Sequence, residues 1–390
     1  MKTQIAGRVK YTDEYYFSKK LREIEEMNKE GEKVLNLGIG SPDLPPPSIV
    51  VDTLIKEVQN PDSHGYQNYK GIFPLRQAIA TWYHKQYGVS LNADTEILPL
   101  LGSKEGVMHI CMTYLEEGDE CLIPNPGYPT YQSAVKISGA KPISYDLKED
   151  NNWLPDLKEL EKQNLDKVKM MWINYPHMPT GSNATETFFE ELVAFAKKHD
   201  ILICHDNPYS FILNEKPVSI LSISGSKEVA IELNSLSKTF NMAGWRMGML
   251  IASGERISEI LRFKSNMDSG MFLPLQKAAA QALLVSDDWY QSQNKIYETR
   301  RKKVYELLDL LGCKYSKDQV GLFVWASIPI SYPDGYALSD EVLQSSRVFI
   351  TPGGIFGTAG DKYIRVSLCN DEAVLEVAID RLKAANKLLS

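Results

Sequence analysis

Short apolar segments alternate with amphipathic segments through the middle of the chain, from about residue 92 to 252, and this alternation limits the possible folds more than any other feature. Residues 188–199 carry apolar side chains at helical spacing, and the apolar run 201–204 follows directly. Strands that are apolar at successive positions are typical of a largely parallel sheet with helices on both faces. The pattern predicts an α/β fold with seven strands: residues 96–101, 120–124, 141–145, 168–174, 201–205, 229–233 and 247–252.

Length and the flanking segments indicate a second domain. A chain of 390 residues exceeds the size at which one hydrophobic core stops growing. Helical segments precede the alternation, and more helices with two strand-like runs follow it. We therefore expect a large domain over residues 47–285, which holds the ligand site, and a smaller α+β domain built from residues 1–46 and 286–390.

Composition favours small-molecule chemistry. The 43 basic and 50 acidic residues are spread without long runs, which argues against nucleic-acid or membrane binding. The five cysteines show no CxxC spacing, and the six histidines show no metal-ligand spacing. No segment reaches the ~20 apolar residues that span a bilayer, and the first residues lack an export signal. The sequence predicts a cytoplasmic enzyme without a metal.

One segment, residues 232–248 (ELNSLSKTFNMAGWRMG), places Lys238 among hydroxyl side chains. A lysine becomes a useful nucleophile near neutral pH only when burial, neighbouring cations or an imine linkage removes its charge. Ser235 and Arg246 are donors suited to a phosphate, the guanidinium bidentately. A lysine beside a phosphate site indicates pyridoxal phosphate, and the alternative is an ordinary loop with a solvated lysine.

Two further segments follow predicted strands and carry groups suited to the same cofactor. Gly102, Ser103 and Lys104 open a helix, and helix N-termini bind anions. A simple serine N-cap explains the same residues equally well. Tyr128, in a proline-rich loop, could stack on a flat ring, although a loop tyrosine more often only packs.

Charged side chains also occur in predicted strands. Asp206 ends an apolar strand, where an ionised acid is costly unless a cation such as a protonated pyridine nitrogen accompanies it. Tyr209, three residues on, could donate a hydrogen bond to the phenolic oxygen of the ring. Arg365 lies within an apolar strand, and its partner is a substrate carboxylate or, the likelier alternative from the strand alone, an internal Asp or Glu.

In order and spacing these segments resemble the class I/II, fold-type I pyridoxal-phosphate aminotransferases, from about residue 36 to 370. That family has a three-layer αβα large domain with a mainly parallel sheet, plus a smaller α+β domain. Within it, four segments are similar to the LL-diaminopimelate aminotransferase group: residues 37–45 (LGIGSPDLP), 96–106 (EILPLLGSKEG), 235–239 (SLSKT) and 264–270 (KSNMDSG).

The resemblance implies a role for each matching residue. Lys238 would form the imine with pyridoxal 5′-phosphate and move the proton between the substrate Cα and the cofactor C4′. Asp206 would hold the pyridinium nitrogen, Tyr209 the O3′ atom, and Tyr128 would stack on the ring. The other implied ligands are Gly102, Ser103, Lys104, Ser235 and Arg246 for the phosphate, and Arg365 with Gly40 for the substrate α-carboxylate.

The resemblance also implies a homodimer, because active sites of this family lie at a subunit interface. Tyr66, or alternatively Tyr69, would reach the phosphate in the neighbouring subunit. The small-molecule partners would be an amino acid and a 2-oxo acid.

One position departs from the family. Where the family commonly has Asn-Pro-Thr-Gly, this chain has Met178-Pro179-Thr180-Gly181. The family's asparagine donates to the cofactor O3′, and methionine offers only a weak sulfur acceptor. We therefore expect Tyr209 to act there alone, unless a water or the neighbouring His177 takes the place of the amide.

The implied function is transamination between an L-amino acid and a 2-oxo acid, with LL-diaminopimelate and glutamate as the candidate pair. A C–S β-lyase is the first alternative, since cofactor-binding residues do not fix which bond breaks. A non-catalytic cofactor-binding regulator is the second.

Overall fold

The computed structural model describes residues 3–10, 16–31 and 33–389. The strands are β1 (Leu35–Asn36), β2 (Ile97–Leu100), β3 (Glu120–Asn125), β4 (Lys141–Asp146), β5 (Val168–Asn174), β6 (Leu202–Asp206), β7 (Ala230–Ser235), β8 (Gly248–Ile251), β9 (Phe323–Ser327), β10 (Val348–Phe349), β11 (Thr351–Pro352) and β12 (Tyr363–Ser367). The helices are α1 (Gly7–Lys10), α2 (Tyr16–Glu30), α3 (Ser48–Val58), α4 (Phe73–Tyr87), α5 (Ser103–Tyr114), α6 (Pro129–Ile137), α7 (Leu157–Leu160), α8 (Glu186–His199), α9 (Leu236–Thr239), α10 (Gly254–Lys264), α11 (Leu273–Ala282), α12 (Asp287–Leu310), α13 (Gly335–Ser346) and α14 (Glu372–Leu389).

The seven predicted strands all form, and within the described chain they make one sheet in the order β2-β8-β7-β6-β5-β3-β4. β8 runs antiparallel to both of its neighbours, and the other neighbouring strands are parallel to each other. The carboxyl ends of β3, β5, β6 and β7 therefore share one edge of the sheet, where ligands of open α/β sheets bind.

Helices cover both faces of this sheet. Along β5, Met170 and Trp172 point into one apolar cluster with α5, α6 and α10, whereas Met171 and Ile173 point into another with α4, α8 and α11. Because both faces are buried, the strand is apolar at successive positions and not only at alternate ones. The predicted three-layer αβα fold with a mainly parallel sheet is confirmed.

The remaining strands form two small sheets among the described residues. β11, β12 and β9 are antiparallel, and β1 pairs in parallel with β10. Helices α12, α13 and α14 pack together beside them. The segment between β1 and α3 therefore connects a small sheet to the part of the chain that forms the large one.

The apolar periodicity of the sequence predicts a helix over residues 296–311, and the observed helix α12 begins nine residues earlier, at Asp287. Ser286 precedes it, and Asp287 and Asp288 lie in its first turn, where acidic side chains stabilise the positive end of the helix dipole. The acidic side chains thus stabilise the first turn of α12, where the apolar pattern is weak.

No individual range is predicted from the sequence for helices α1, α2, α6, α7, α9 and α13 or for the short strands β1, β10 and β11. Among the helices that the structure describes, none is long and apolar enough to cross a bilayer.

Candidate active site

The carboxyl ends of the strands surround a cavity of about 550 Å³. Most of the residues selected from the sequence line it: Gly40, Ser103, Lys104, Tyr128, Asp206, Tyr209, Ser235, Lys238, Arg246 and Arg365. Gly102 lies directly behind this lining, and Tyr66 and Tyr69 lie outside it. Gly40 and Arg365, which are 325 positions apart in the chain, thus face one space.

Lys238 lies in the short helix α9, which Ser235 caps by accepting a hydrogen bond from the Ser237 N–H at 3.1 Å. Its Nζ donates to the carbonyl oxygen of Gly40 at 2.5 Å. Burial lowers the pKa of Lys238 below its usual value, and the positive charges of Arg365 and Arg246 act in the same direction. The environment therefore favours the neutral, nucleophilic amine.

Asp206 is the last residue of β6 and is buried. Its Oδ2 accepts a hydrogen bond from the Tyr131 hydroxyl at 2.8 Å, whereas Oδ1 has no hydrogen-bond partner among the described residues. Burial raises the pKa of Asp206 to about 6, against the Tyr131 hydrogen bond, which lowers it. A buried carboxylate oxygen without a donor is costly, so this atom suits a cationic N–H donor supplied by a ligand.

Tyr131 is a site residue that the sequence reasoning missed. Its ring stacks on Trp172 with a centroid distance of 5.0 Å, and burial raises its pKa well above the usual value, so its hydroxyl stays a donor. It lies on α6, three residues after Tyr128, and only the packing of α6 against β3 and β4, with the stacking of its ring on Trp172 of β5, directs it at Asp206. No local sequence signal distinguishes it from an ordinary core tyrosine.

The start of α5 forms the anion-binding side of the cavity. Gly102 is the N-cap residue and makes no side-chain cap, so the alternative of a simple serine N-cap is wrong. Gly102 has φ +88°, and a Cβ there would lie 2.0 Å from Nη2 of Arg246. The glycine thus lets the guanidinium approach the free N–H groups of the helix start.

Glu105, which the sequence reasoning also missed, holds the loop before α5 through a hydrogen bond to its backbone. Its Oε2 accepts the Leu101 N–H at 2.6 Å, and its Oε1 lies 2.8 Å from Nε2 of His109. Burial would raise the pKa of Glu105, but the contact with His109 and the charge of Lys264 bring it below the usual value. Buried Lys264 in turn donates to both oxygens of Asp268, at 2.7 and 2.6 Å. Although Glu105, His109 and Asp268 lie close together, a lysine ammonium already supplies the positive charge beside them.

Arg365, on β12, bounds the opposite end of the cavity. Its Nη2 donates to the Gly38 carbonyl at 2.7 Å, and its guanidinium lies 3.8 Å from the ring centroid of Phe323 and 4.6 Å from that of Phe356. Stacking on aromatic faces holds a guanidinium without neutralising it. Nearby, burial raises the pKa of Tyr209 above its usual range, so this phenol also stays a hydrogen-bond donor.

Met178, the departure from the family motif, contacts Arg365 directly. Its Sδ lies 3.1 Å from Nη1 of Arg365, and its N–H donates to Asn174 Oδ1 at 2.8 Å. His177 does not line the cavity; its Nδ1 lies 2.8 Å from the Thr180 hydroxyl, and burial lowers its pKa to about 3. His177 is therefore directed away from the position that the missing amide would serve.

Tyr66 and Tyr69 lie on an exposed loop. The Tyr66 side chain is 94% exposed and that of Tyr69 is 46% exposed. A Cβ on Gly270 would lie 2.1 Å from the Gln67 carbonyl oxygen, so the segment after α10 packs tightly against this loop. The loop is thus held in place while its aromatic side chains face outward.

A mainly parallel α/β sheet with a partly buried lysine, a buried carboxylate and a helix start suited to an anion at its carboxyl edge is typical of the aminotransferase class. The sequence model for "Aminotransferase class I and II" matches residues 32–382, so the chain belongs to this family. It is 40% identical over 386 residues to an LL-diaminopimelate aminotransferase of Dehalococcoides mccartyi, covering 98% of this chain and 99% of the relative. It is also 39% identical over 380 residues to the LL-diaminopimelate aminotransferase of Halothermothrix orenii, with 97% of each chain covered.

A solved structure agrees with this assignment. The substrate-bound structure of BacF from Bacillus subtilis superposes with a TM-score of 0.94 at 36% identity, and 98% of both chains is covered. The resemblance inferred from the sequence motifs is thus confirmed, and the chain is an aminotransferase.

Proposed function

We propose that this aminotransferase uses pyridoxal 5′-phosphate and moves an amino group between an L-amino acid and a 2-oxo acid. The observation that carries the proposal is the unpartnered Oδ1 of buried Asp206, in the same cavity as Lys238. A protonated pyridine nitrogen would supply the donor that this oxygen lacks. The other end of the cavity offers donors for a phosphate: Ser103, Lys104, Ser235 and Arg246.

When bound, the cofactor supplies the electron sink for the carbanion chemistry. Lys238 would move the proton between the substrate Cα and the cofactor C4′, which requires the neutral amine that its environment favours. Asp206 would hold the ring nitrogen, Tyr209 would donate to O3′, and Tyr128 would stack on the ring; all three side chains line the cavity. Asp206 already accepts a hydrogen bond from Tyr131, and the ring of Tyr209 packs against Phe323. Such preorganisation is what electrostatic catalysis needs.

We propose that Arg365 binds the substrate α-carboxylate. Phe323 and Phe356 position its guanidinium, and a carboxylate would compete for Nη1 with the weak sulfur acceptor of Met178. Gly40 contributes room on this side, because a Cβ there would lie 2.1 Å from the Phe323 ring. A carboxylate that accepts two hydrogen bonds from the guanidinium is a stronger partner for Arg365 than the sulfur is.

For the substrate we propose LL-diaminopimelate as amino donor, with glutamate and 2-oxoglutarate as the second pair. The support is the identity of 40% and 39% to relatives named LL-diaminopimelate aminotransferase, over nearly the whole chain.

We further propose a homodimer in which Tyr66 reaches the phosphate of the neighbouring subunit, with Tyr69 as the alternative. The exposed loop that carries both tyrosines supports this, since large exposed aromatic groups mark interaction surfaces. We also propose a division into a large cofactor-binding domain (47–285) and a small domain (1–46 and 286–390). The boundaries at 47 and 286 coincide with the N-caps of α3 and α12. A cytoplasmic location is proposed because the five cysteines are free and buried.

A half-reaction screen tests the function. The purified enzyme with bound cofactor is mixed with one amino acid at a time, without an oxo acid, and its absorbance is followed. Transamination converts the cofactor to its amine form, whereas a β-lyase releases pyruvate and ammonia from a cysteine conjugate and leaves the cofactor unchanged. A strong preference for aspartate, alanine, methionine or an aromatic amino acid over LL-diaminopimelate would overturn the proposed donor only.

The residue assignment has its own test. Borohydride reduction of the enzyme with cofactor, followed by peptide mapping, should find the pyridoxyl group on Lys238. A label on any other lysine, or none, contradicts the role given to Lys238.

A further inference from the structure

A buried polar pair lies at the ends of the active-site strands, on the face of the sheet opposite to the Asp206 side chain. His205 on β6 and Glu232 on β7 are both fully buried and are directly opposite each other in the register of these parallel strands. His205 immediately precedes Asp206, and because successive side chains of a strand point to opposite faces, it points away from the cavity that Asp206 lines. None of the roles described above uses this pair.

The hydrogen bonds of His205 reveal its charge. Nε2 lies 2.9 Å from the Tyr175 carbonyl oxygen, which can only accept, so Nε2 carries a proton. Nδ1 lies 3.0 Å from Oε2 of Glu232. If Glu232 is ionised, Nδ1 carries a proton as well and the ring is an imidazolium.

Several hydrogen-bond donors surround the carboxylate of Glu232. Its Oε2 also accepts from the Ser219 hydroxyl at 2.8 Å and the Ile220 N–H at 3.2 Å, and its Oε1 accepts from the Tyr83 hydroxyl at 2.8 Å. A carboxylate that receives several donors is stabilised as the anion. His205 and Glu232 therefore form an ion pair whose hydrogen-bonding groups are satisfied, which is the condition under which a buried pair is tolerated.

This pair connects the ends of three neighbouring strands. His205 joins β6 to the residue after β5 through Tyr175 and to β7 through Glu232. The residues on the cavity side of the same strand ends include Asn174, Asp206 and Ser235. The pair also places a positive charge one residue from the buried carboxylate of Asp206, and a nearby cation favours the ionised form of an acid.

We propose that His205 and Glu232 are positioning residues that hold Asp206 in place and keep it ionised for the ring nitrogen of the cofactor. This inference rests on the proposed role of Asp206. The pair touches neither cofactor nor substrate, and its effect reaches the site through Asp206.

The charge state can be measured in the enzyme without cofactor. In ¹⁵N-histidine-labelled protein, NMR should show both ring nitrogens of His205 protonated at neutral pH, with the resonance assigned by its loss in His205→Gln. Exposed His84 provides the internal reference for a ring in contact with solvent. A neutral ring on His205 overturns the ion pair and with it the proposal.

A double-mutant cycle tests the action through Asp206. The dissociation constant of pyridoxal phosphate is measured by fluorescence for the wild type, His205→Gln, Asp206→Asn and the double variant. His205→Gln should weaken binding about tenfold when Asp206 is present and less than about twofold in the Asp206→Asn background. Equal effects in the two backgrounds would mean a merely structural role and would overturn the proposal.

Two further variants complete the design. Tyr145→Phe removes another buried hydrogen bond of the same sheet, to the Trp172 carbonyl, and should leave cofactor affinity unchanged. Glu232→Gln repeats the cycle if His205→Gln does not fold. If Asp206→Asn binds the cofactor as tightly as the wild type, the proposed role of Asp206 fails and this inference fails with it. If Asp206→Asn weakens cofactor binding but the effects of the two substitutions are additive, only the role of the His205–Glu232 pair is rejected.

Discussion

Asp206 should make the enzyme without cofactor less stable at neutral pH than it would be with an uncharged side chain there. Burial raises the folded-state pKa of Asp206 to about 6 from the usual 3.8. This difference corresponds to about 3 kcal/mol between the two protonation states. Because the folded-state value is the higher one, the folded chain binds the extra proton between the two values, and stability falls as pH rises from about 4 to about 7.

Asp206→Asn removes this titration. Relative to the wild type, the free energy of unfolding of the variant should rise by about 3 kcal/mol between pH ~4 and pH ~7. The new amide has its own cost, since it also lacks a complete set of partners, but that cost does not depend on pH. The change with pH in the stability difference between the wild type and Asp206→Asn therefore reports on the carboxylate alone.

Urea unfolding of both proteins without cofactor, at one fixed protein concentration and several pH values, measures this difference. Tyr131→Phe is a useful companion, because it removes the hydroxyl that lowers the pKa of Asp206 and should steepen the pH dependence. A stability difference between the wild type and Asp206→Asn that is constant over this pH range would refute the reasoning. With pyridoxal phosphate added, the wild type should gain more stability than the variant, because the cofactor supplies the missing donor.

Three further outcomes are expected. Lys238→Ala should lower turnover by at least about 100-fold yet still bind pyridoxal phosphate through the phosphate site. Equilibrium dialysis measures the binding, and single-turnover kinetics measures the rate. Retained multiple turnover would exclude Lys238 as the acid-base group. Met178→Asn should lower the pKa reported by the absorbance of the bound cofactor, by about one pH unit for one added hydrogen bond of about 1 kcal/mol to O3′. A higher pKa in that variant contradicts the account of Met178. Glu105→Gln should weaken cofactor binding about fivefold, because the hydrogen bond to the Leu101 N–H loses its charged acceptor. Glu117→Gln changes an exposed residue and serves as the control, with no change in affinity expected. Equal cofactor affinities of the two variants would contradict a role of Glu105 in holding the phosphate loop.

Much of the large sheet could be predicted from the sequence because its signals are local. Strands buried on both faces are apolar at successive positions, and the seven predicted segments match β2 to β8 within two residues at each end. Parallel strands end at the same edge of a sheet, so the positions of Tyr128, Asp206 and Ser235 after apolar runs were enough to predict that they lie together. Elements without strong periodicity, such as the first turns of α12, escaped prediction.

The tertiary structure alone decided which distant side chains meet. Tyr131 bonds to Asp206 across 75 positions, Met178 to Arg365 across 187, and Gly40 accepts from Lys238 across 198. The sequence determined the strands, the place of Lys238 among hydroxyl side chains and the residue types at the strand ends, since each depends on neighbours a few positions away. The orphaned oxygen of Asp206, the sulfur contact of Arg365 and the His205–Glu232 pair depend on how helices and strands pack, because hydrogen-bond partners and desolvation are properties of the assembled chain and not of any one segment of it.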